Sequence, residues 1–427
     1  MEVEIGRIGA RGDGVAESAD GRFYVPFTIP GERVRIRPGG ARGNGRDADL
    51  LEILAPAIER RAPACPHFGH CGGCALQHLA DAAYAEWKLE RLELALARAG
   101  ITSSPREPLV RTPPRARRRA RFAAVRRSAG PHATLCVGFA VRRGHDVVDL
   151  AACPVLDPQI LALLPALRQL LVTLPERRAP AHIAVPRLDA GLDVVVERTG
   201  APTLAEREHL AAFSAAADLA RLSWLAADLS QPAEPLVERR RPFAVFGGVL
   251  VALPPGGFLQ ASTAGEVALV AVVVGALANV GGSSRRRAVA DLFAGAGTFT
   301  FPLAAAGARV HAIDADAASL QALKDAARPI PGVSVERRDL LARPLLSEEL
   351  RQYDMVVFDP PRAGAAAQAA QLAAASVPTV VAVSCNPETF ARDARILIDG
   401  GYRLERIVPV DQFLWSPHLE LAAVFRR

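Results

Sequence analysis

From about residue 246 onward the chain alternates short apolar runs with helical segments, and this alternation narrows the fold more than any other feature. Ala288–Phe293, Ala308–Asp314, Val333–Glu336, Asp354–Phe358, Thr379–Ser384, Leu404–Val410 and Leu419–Phe425 each read as a strand. Near-continuous apolar runs suit strands covered on both faces, and helices between them make the crossovers of a parallel sheet. Seven such strands predict an open, doubly wound, Rossmann-like α/β sheet over 246–427. Sheets of this kind bind ligands beyond the carboxyl ends of their strands, so the chemistry belongs at those tips.

Five tips carry suitable residues. DLFAGAG, Asp291–Gly297, places Gly295 and Gly297 between a strand and a helix, where missing side chains let the backbone approach a ligand. The dinucleotide fingerprint would need a third glycine at position 300, where Thr300 stands. Asp314 ends the next strand, placed to accept from ribose hydroxyls. Asp339 follows the third strand and is placed for an adenine amino group. Acidic residues after successive strands, without the third glycine, fit S-adenosylmethionine better than a nicotinamide dinucleotide. FDPPR puts Asp359 at the fourth tip, held by two prolines. VAVSCNPETFARD, Val381–Asp393, ends its strand at Asn386-Pro387, with Glu388 or Thr389 starting the next helix. Cys385 at that tip reads as a nucleophile or as a small buried hydrophobe.

Upstream, residues 1–57 alternate polar and apolar residues as four or five short strands, with turns at Gly12-Asp13-Gly14 and Pro38-Gly39-Gly40. This pattern predicts a small β-barrel of the OB type. Residues 58–245 read as an α+β body, with a helix over Asp81–Gly100 and a linker or exposed loop near 232–242. Within that body Cys65, Cys71 and Cys74 are separated by five and then two residues, and Cys153 is the natural fourth ligand. Thiolates in this arrangement suit tetrahedral zinc or a [4Fe–4S] cluster. Cys136, in TLCVGFAV, reads as core. Eight arginines fall between Arg111 and Arg127 with no acidic residue among them, which points to phosphate contact. The net charge of +6 and a pI near 9.3 permit such a polyanionic partner. No uncharged apolar run reaches about 18 residues and the first residues lack a signal-peptide core, so the expected compartment is the cytoplasm.

Taken together, FLQ (Phe258–Gln260), DLFAGAG, FDPPRAG, VSCNPETFARD and HLE (His418–Glu420) resemble the RNA 5-methyluridine methyltransferases. The first segment, GDGVAE…FYVPFTIPGERVRI, resembles a TRAM domain, an RNA-binding barrel. With the four cysteines, this makes the whole chain most similar to the iron–sulfur 23S rRNA uracil-5 methyltransferases. The resemblance implies methyl transfer from S-adenosylmethionine to carbon 5 of a uridine, in rRNA before tRNA. Cys385 would be the nucleophile and Glu420 the base. Gln260, Phe293, Asp314, Asp359 and Thr298 would stand at the cofactor, and Cys65, Cys71, Cys74 and Cys153 would hold [4Fe–4S], with zinc the alternative. The target uridine would have to leave its stack, and a monomer is expected. Against the family pattern, Ser262 and Thr298 stand where asparagine is common and Asp314 replaces glutamate. Leu414 and Trp415 interrupt the segment before the base. Two other readings are an RNA-binding protein on a methyltransferase fold and an amino-group methyltransferase using DPP. The second has no need of Cys385.

Overall fold

The architecture is taken from a computed structural model, which describes residues 1–102, 105–126, 135–175, 181–229, 231–280 and 286–427. All seven expected strands are present in the carboxyl-terminal sheet. They are β1 (Ala288–Leu292), β2 (Arg309–Asp314), β3 (Val333–Arg337), β4 (Met355–Phe358), β5 (Thr379–Ser384), β6 (Arg403–Asp411) and β7 (Glu420–Arg426). Their spatial order is β3-β2-β1-β4-β5-β7-β6, with β1 to β5 parallel and β7 antiparallel between β5 and β6. An eighth strand, Val110–Arg111, joins the outer edge of β6 in parallel. No periodicity marks a two-residue strand so far upstream.

Side chains alternate between two apolar layers. Ala288, Ala290 and Leu292 pack with Phe390, Ala394 and Leu397 on one face, whereas Val289 meets Leu269, Val272 and Val273 on the other. The first layer also takes Leu92, Ala95 and Leu96 of helix α1 (Asp81–Arg98). Burying each of those leucines contributes on the order of 2 kcal/mol. The buried stripe of α1 runs through Tyr84, Lys88 and Leu92, with Ala85 and Leu89 at its flank. Helix α1 and Val110–Arg111 thus come from residues 58–245 in sequence and pack with the carboxyl-terminal sheet in space.

The rest of that segment forms a seven-stranded sheet, with Arg119–Arg126 and Ala181–Leu188 at its centre. Helices Leu164–Thr173 and Leu204–Ala216 cover its core. The expected linker near 232–242 is instead partly built into this sheet. Glu234–Glu238 is its edge strand, and Arg239 and Arg240 bind Asp218. At the amino terminus six strands pack round Ile5, Phe23, Val25 and Val34. The turn expected at Pro38-Gly39-Gly40 lies inside the long strand Arg33–Arg42, as a register shift. The hairpin turns at Gly43-Asn44, where Gly43 takes φ +55°. Asp13, almost fully buried, ties this sheet to the central one by accepting from Arg42, Arg142 and Arg143.

Candidate active site

One cavity of about 1260 Å³ lies where the carboxyl ends of β1 to β6 and the start of the antiparallel β7 converge. Phe293 and Gly295 follow β1, Asp314 ends β2, Asp339 follows β3, Asp359 follows β4, Cys385 follows β5 and Glu420 opens β7; all of them line it, with Gln260. The central segment supplies another wall, which includes Cys65, Cys71, Cys74, Cys153, Arg117 and Arg119.

The glycine-rich turn is shaped for a ligand. Phe293 takes φ +61°, an uncommon conformation for a side chain of its size, and Gly295 takes φ +54°. A Cβ on Gly295 would meet nothing within 4 Å and would stand in open space at the cavity. Gly295 N donates to Asp314 Oδ2 at 2.8 Å, fixing the acid at the mouth of the turn. Asp339 Oδ1 is held the same way by Leu341 N at 3.0 Å. Gly297 and Thr298, expected at the cofactor, are not among the lining residues. At φ +102° a Cβ on Gly297 would sit 2.6 Å from the Phe301 ring, so this glycine serves close packing within the turn. Thr300 replaces the third glycine for a visible reason: its Oγ1 donates to the fully buried Asp291 Oδ2 at 2.6 Å.

Cys385 sits between the end of β5 and a helix over Pro387–Asp399. That helix begins at Pro387, earlier than expected, because Asn386 caps it by accepting from Glu388 N at 3.1 Å. Asn386 Nδ2 also donates to Arg362 O at 3.2 Å, which fastens the cysteine turn to the DPPR loop. Burial pushes the Cys385 thiol up to about 11, and the Glu420 and Asp359 charges add to the shift against Arg362. Burial also raises Glu420 to about 8 and Asp359 to about 7. Asp359's charge adds to the Glu420 shift.

A chain of amides connects that pair. Gln260 Nε2 donates to Asp359 Oδ2 at 3.1 Å, and Gln412 Nε2 donates to Gln260 Oε1 and to Glu420 Oε2, both at 2.8 Å. Gln412 Oε1 accepts from Ala261 N at 3.0 Å, so the amide's orientation is fixed from both ends. Gln412 had no role in the sequence reading; its place beside Asp411 in the segment before Glu420 was the available signal. The arginine run divides in space. Arg118 is buried against Glu266, Arg111 pairs with Asp81, and Arg121 pairs with Glu197. Arg117, Arg119 and, with its partner Glu197, Arg121 line the cavity, and Arg119 lies 4.4 Å over the half-exposed Phe258 ring and feels the charges of both Glu420 and Cys385. Arg127 lies outside the described residues.

The four cysteines come from two separate segments and are free thiols facing one cavity. Burial raises Cys74 to about 12, and the charges of Cys153, Cys71 and Cys65 push the same way. Among the described residues no three His, Cys, Asp or Glu side chains gather as a single-ion ligand group. Cys136 is buried in the strand Leu135–Ala140, as expected of core. None of the described helices is long and apolar enough to cross a membrane.

This fold and cavity define a class I type methyltransferase architecture, and comparison with known proteins narrows it. Residues 342–427 match the family model for tRNA (uracil-5-)-methyltransferase. A protein of Caulobacter vibrioides named as an uncharacterized RNA methyltransferase is 45% identical over the full length of both chains. The 23S rRNA (uracil(1939)-C(5))-methyltransferase RlmD of Aeromonas salmonicida is 32% identical, over 97% of this chain and 93% of its own. In structure, the Pyrococcus abyssi tRNA (uracil-54, C5)-methyltransferase, solved with S-adenosyl-L-homocysteine, superposes over 100% of both chains with a TM-score of 0.74 at 22% identity. The chain belongs to the RNA uracil-5 methyltransferase family and is an S-adenosylmethionine-dependent RNA methyltransferase.

Proposed function

We propose that the protein methylates carbon 5 of a uridine in 23S rRNA through a covalent adduct on Cys385, with Glu420 as the base. The observation that carries this reading is the convergence of Cys385, Glu420 and the Asp314 turn on one cavity. S-adenosylmethionine, when bound, supplies an electrophilic methyl group; Gly295, Asp314 and Asp339 have the open backbone and acceptors to hold its nucleoside, with Phe293, Gln260 and Asp359 beside them. Cys385 as thiolate adds to carbon 6 of the uracil, forming the S–C6 bond and moving the ring π electrons onto O4 as an enolate. Carbon 5 would then take the methyl as the methyl's bond to the sulfonium sulfur breaks, leaving S-adenosyl-L-homocysteine. Glu420 as carboxylate removes the carbon 5 proton, the C5–C6 double bond re-forms, and the S–C6 bond breaks to return the thiolate.

The amino-terminal sheet, 1–57, is proposed as a TRAM-like RNA-binding module, 58–245 as the four-cysteine region and 246–427 as the catalytic domain. Arg117 and Arg119 would meet RNA phosphates and Phe258 offers a stacking face for a flipped base. The four thiols fit a [4Fe–4S] centre in donor type, held by Cys65, Cys71, Cys74 and Cys153, with zinc as the alternative. A cytoplasmic monomer completes the proposal. Specificity for rRNA draws on the relative named for 23S rRNA, and tRNA is the second reading, favoured by the matching family model. Cys385→Ala is expected to abolish methyl transfer while calorimetry still registers S-adenosylmethionine binding; retained transfer would overturn the covalent route. Mapping the methylated nucleotide in rRNA and tRNA pools separates the two substrates.

A further inference from the structure

Of the chain's 51 basic residues only Lys88 and Lys324 are lysines, and Lys88 is fully buried. It projects from α1 into the loop between β6 and β7, the segment that leads to Glu420. Lys88 Nζ donates to Asp411 Oδ1 at 2.9 Å, to Phe413 O at 3.5 Å and to the His418 carbonyl. Three acceptors therefore surround one nitrogen, which matches the tetrahedral donors of an ammonium and not the planar fork of a guanidinium. An arginine-rich chain thus keeps lysine where arginine's geometry fails.

Neighbouring groups close the same cage. Tyr84 OH donates to Asp411 Oδ2 at 2.7 Å and accepts from Trp415 N at 2.8 Å. Thr112 Oγ1 donates to Asp411 O at 2.8 Å, and Arg91 donates to the Pro417 carbonyl. Tyr84, Lys88 and Asp411 are all fully buried. The residue after Asp411 is Gln412, whose amide holds both Gln260 and Glu420. A shift of this loop would move the Gln412 amide and the Glu420 carboxylate together.

We propose that Lys88, assisted by Tyr84, is a positioning residue for methyl transfer: it grips the loop between β6 and β7 from α1 and so sets where Gln412 and Glu420 stand against the uracil. The proposal rests on Glu420 acting as the base. A purely structural role predicts something different, because replacing a buried ion pair by apolar residues of similar size is often neutral for stability.

The test uses the full-length protein, RNA on which the parent is active, and the variants K88M, K88R, Y84F, K88M/D411L and E420Q. A displacement of about 1 Å at a reacting group can cost about 100-fold in rate. K88M is therefore expected to lose about that factor in kcat with KM for RNA unchanged, and to accumulate a denaturation-resistant RNA–protein adduct as E420Q does. K88R is expected not to rescue kcat. K88M/D411L should recover the parent's melting temperature yet remain slow. Y84F removes one hydroxyl from the cage, is expected to slow turnover in the same direction, and decides the matter if K88M does not fold. Parent-like kcat in folded K88M or Y84F, recovery of kcat in the double variant, or slow turnover without adduct while E420Q traps it would each overturn the proposal. If E420Q itself traps no adduct, the base assignment fails instead, and the positioning role built on it falls with it.

Discussion

With Glu420 as the proposed base, its raised pKa makes release of the proposed adduct the step most sensitive to pH. Glu420 is fully enclosed and pushed up to about 8 by burial and by the Asp359 charge, while Gln412 pulls the other way. In the adduct the sulfur of Cys385 is already bonded to carbon 6, so its own high thiol pKa no longer enters. Release then follows the ionised fraction of the carboxyl alone. With a pKa of about 8 that fraction is roughly 1% at pH 6 and half at pH 8, so adduct decay should accelerate about fiftyfold across that interval. The assay forms the adduct rapidly, jumps the pH, and follows the loss of denaturation-resistant RNA–protein complex. Asp359→Asn removes the neighbouring negative charge and should move the limb to lower pH. Gln412→Leu removes a donor to the carboxylate and should move it higher. A decay rate independent of pH from 6 to 8, or a shift to higher pH in Asp359→Asn, would refute the role of Glu420 as the releasing base.

Other outcomes follow from the same geometry. Because burial raises the folded-state pKa of Glu420 above its unfolded value, its contribution to stability is complete below the unfolded pKa and is lost as pH rises through about 8. Glu420→Gln, which cannot ionise, should therefore unfold at a higher temperature than the parent at pH 8 and gain little at pH 4, as differential scanning calorimetry can check. Gly295→Val places a branched side chain at φ +54° facing the cavity and should weaken S-adenosylmethionine binding by more than tenfold, measured by calorimetry. Gly297→Ala meets the Phe301 ring instead and should lower the melting temperature first. Protein purified without oxygen should carry iron and visible absorbance that Cys71→Ser loses; stoichiometric zinc without iron would make the site tetrahedral zinc.

Strand positions and the tips of the carboxyl-terminal sheet were legible because each depends on a local signal. Apolar runs mark β1 to β5, Asn386-Pro387 marks the end of β5, Asp314 ends β2, and acids follow β3 and β4 within two residues. Gly295 could be read as a site of close approach, but its neighbour Gly297 carries the same signal and turns inward to Phe301. A glycine shows that a side chain is excluded; the surrounding fold decides whether a ligand or the core excludes it. The segment 232–242 misled for a related reason, since proline and arginine suit both a loop and an edge strand. Least legible were the groups that tune the site. Lys88 and Asp411 lie 323 positions apart, and Gln412 reaches Gln260 across 152. Periodicity within a short window has no access to such pairs. Glu420's identity came from a motif, yet its pKa depends on burial, Asp359, Gln412 and Arg119, which approach from different parts of the chain. The motif therefore supplies the proposed reacting groups, whereas the long-range cage supplies the electrostatic and positional conditions under which a carboxylate with a pKa of about 8 would serve as the proposed base.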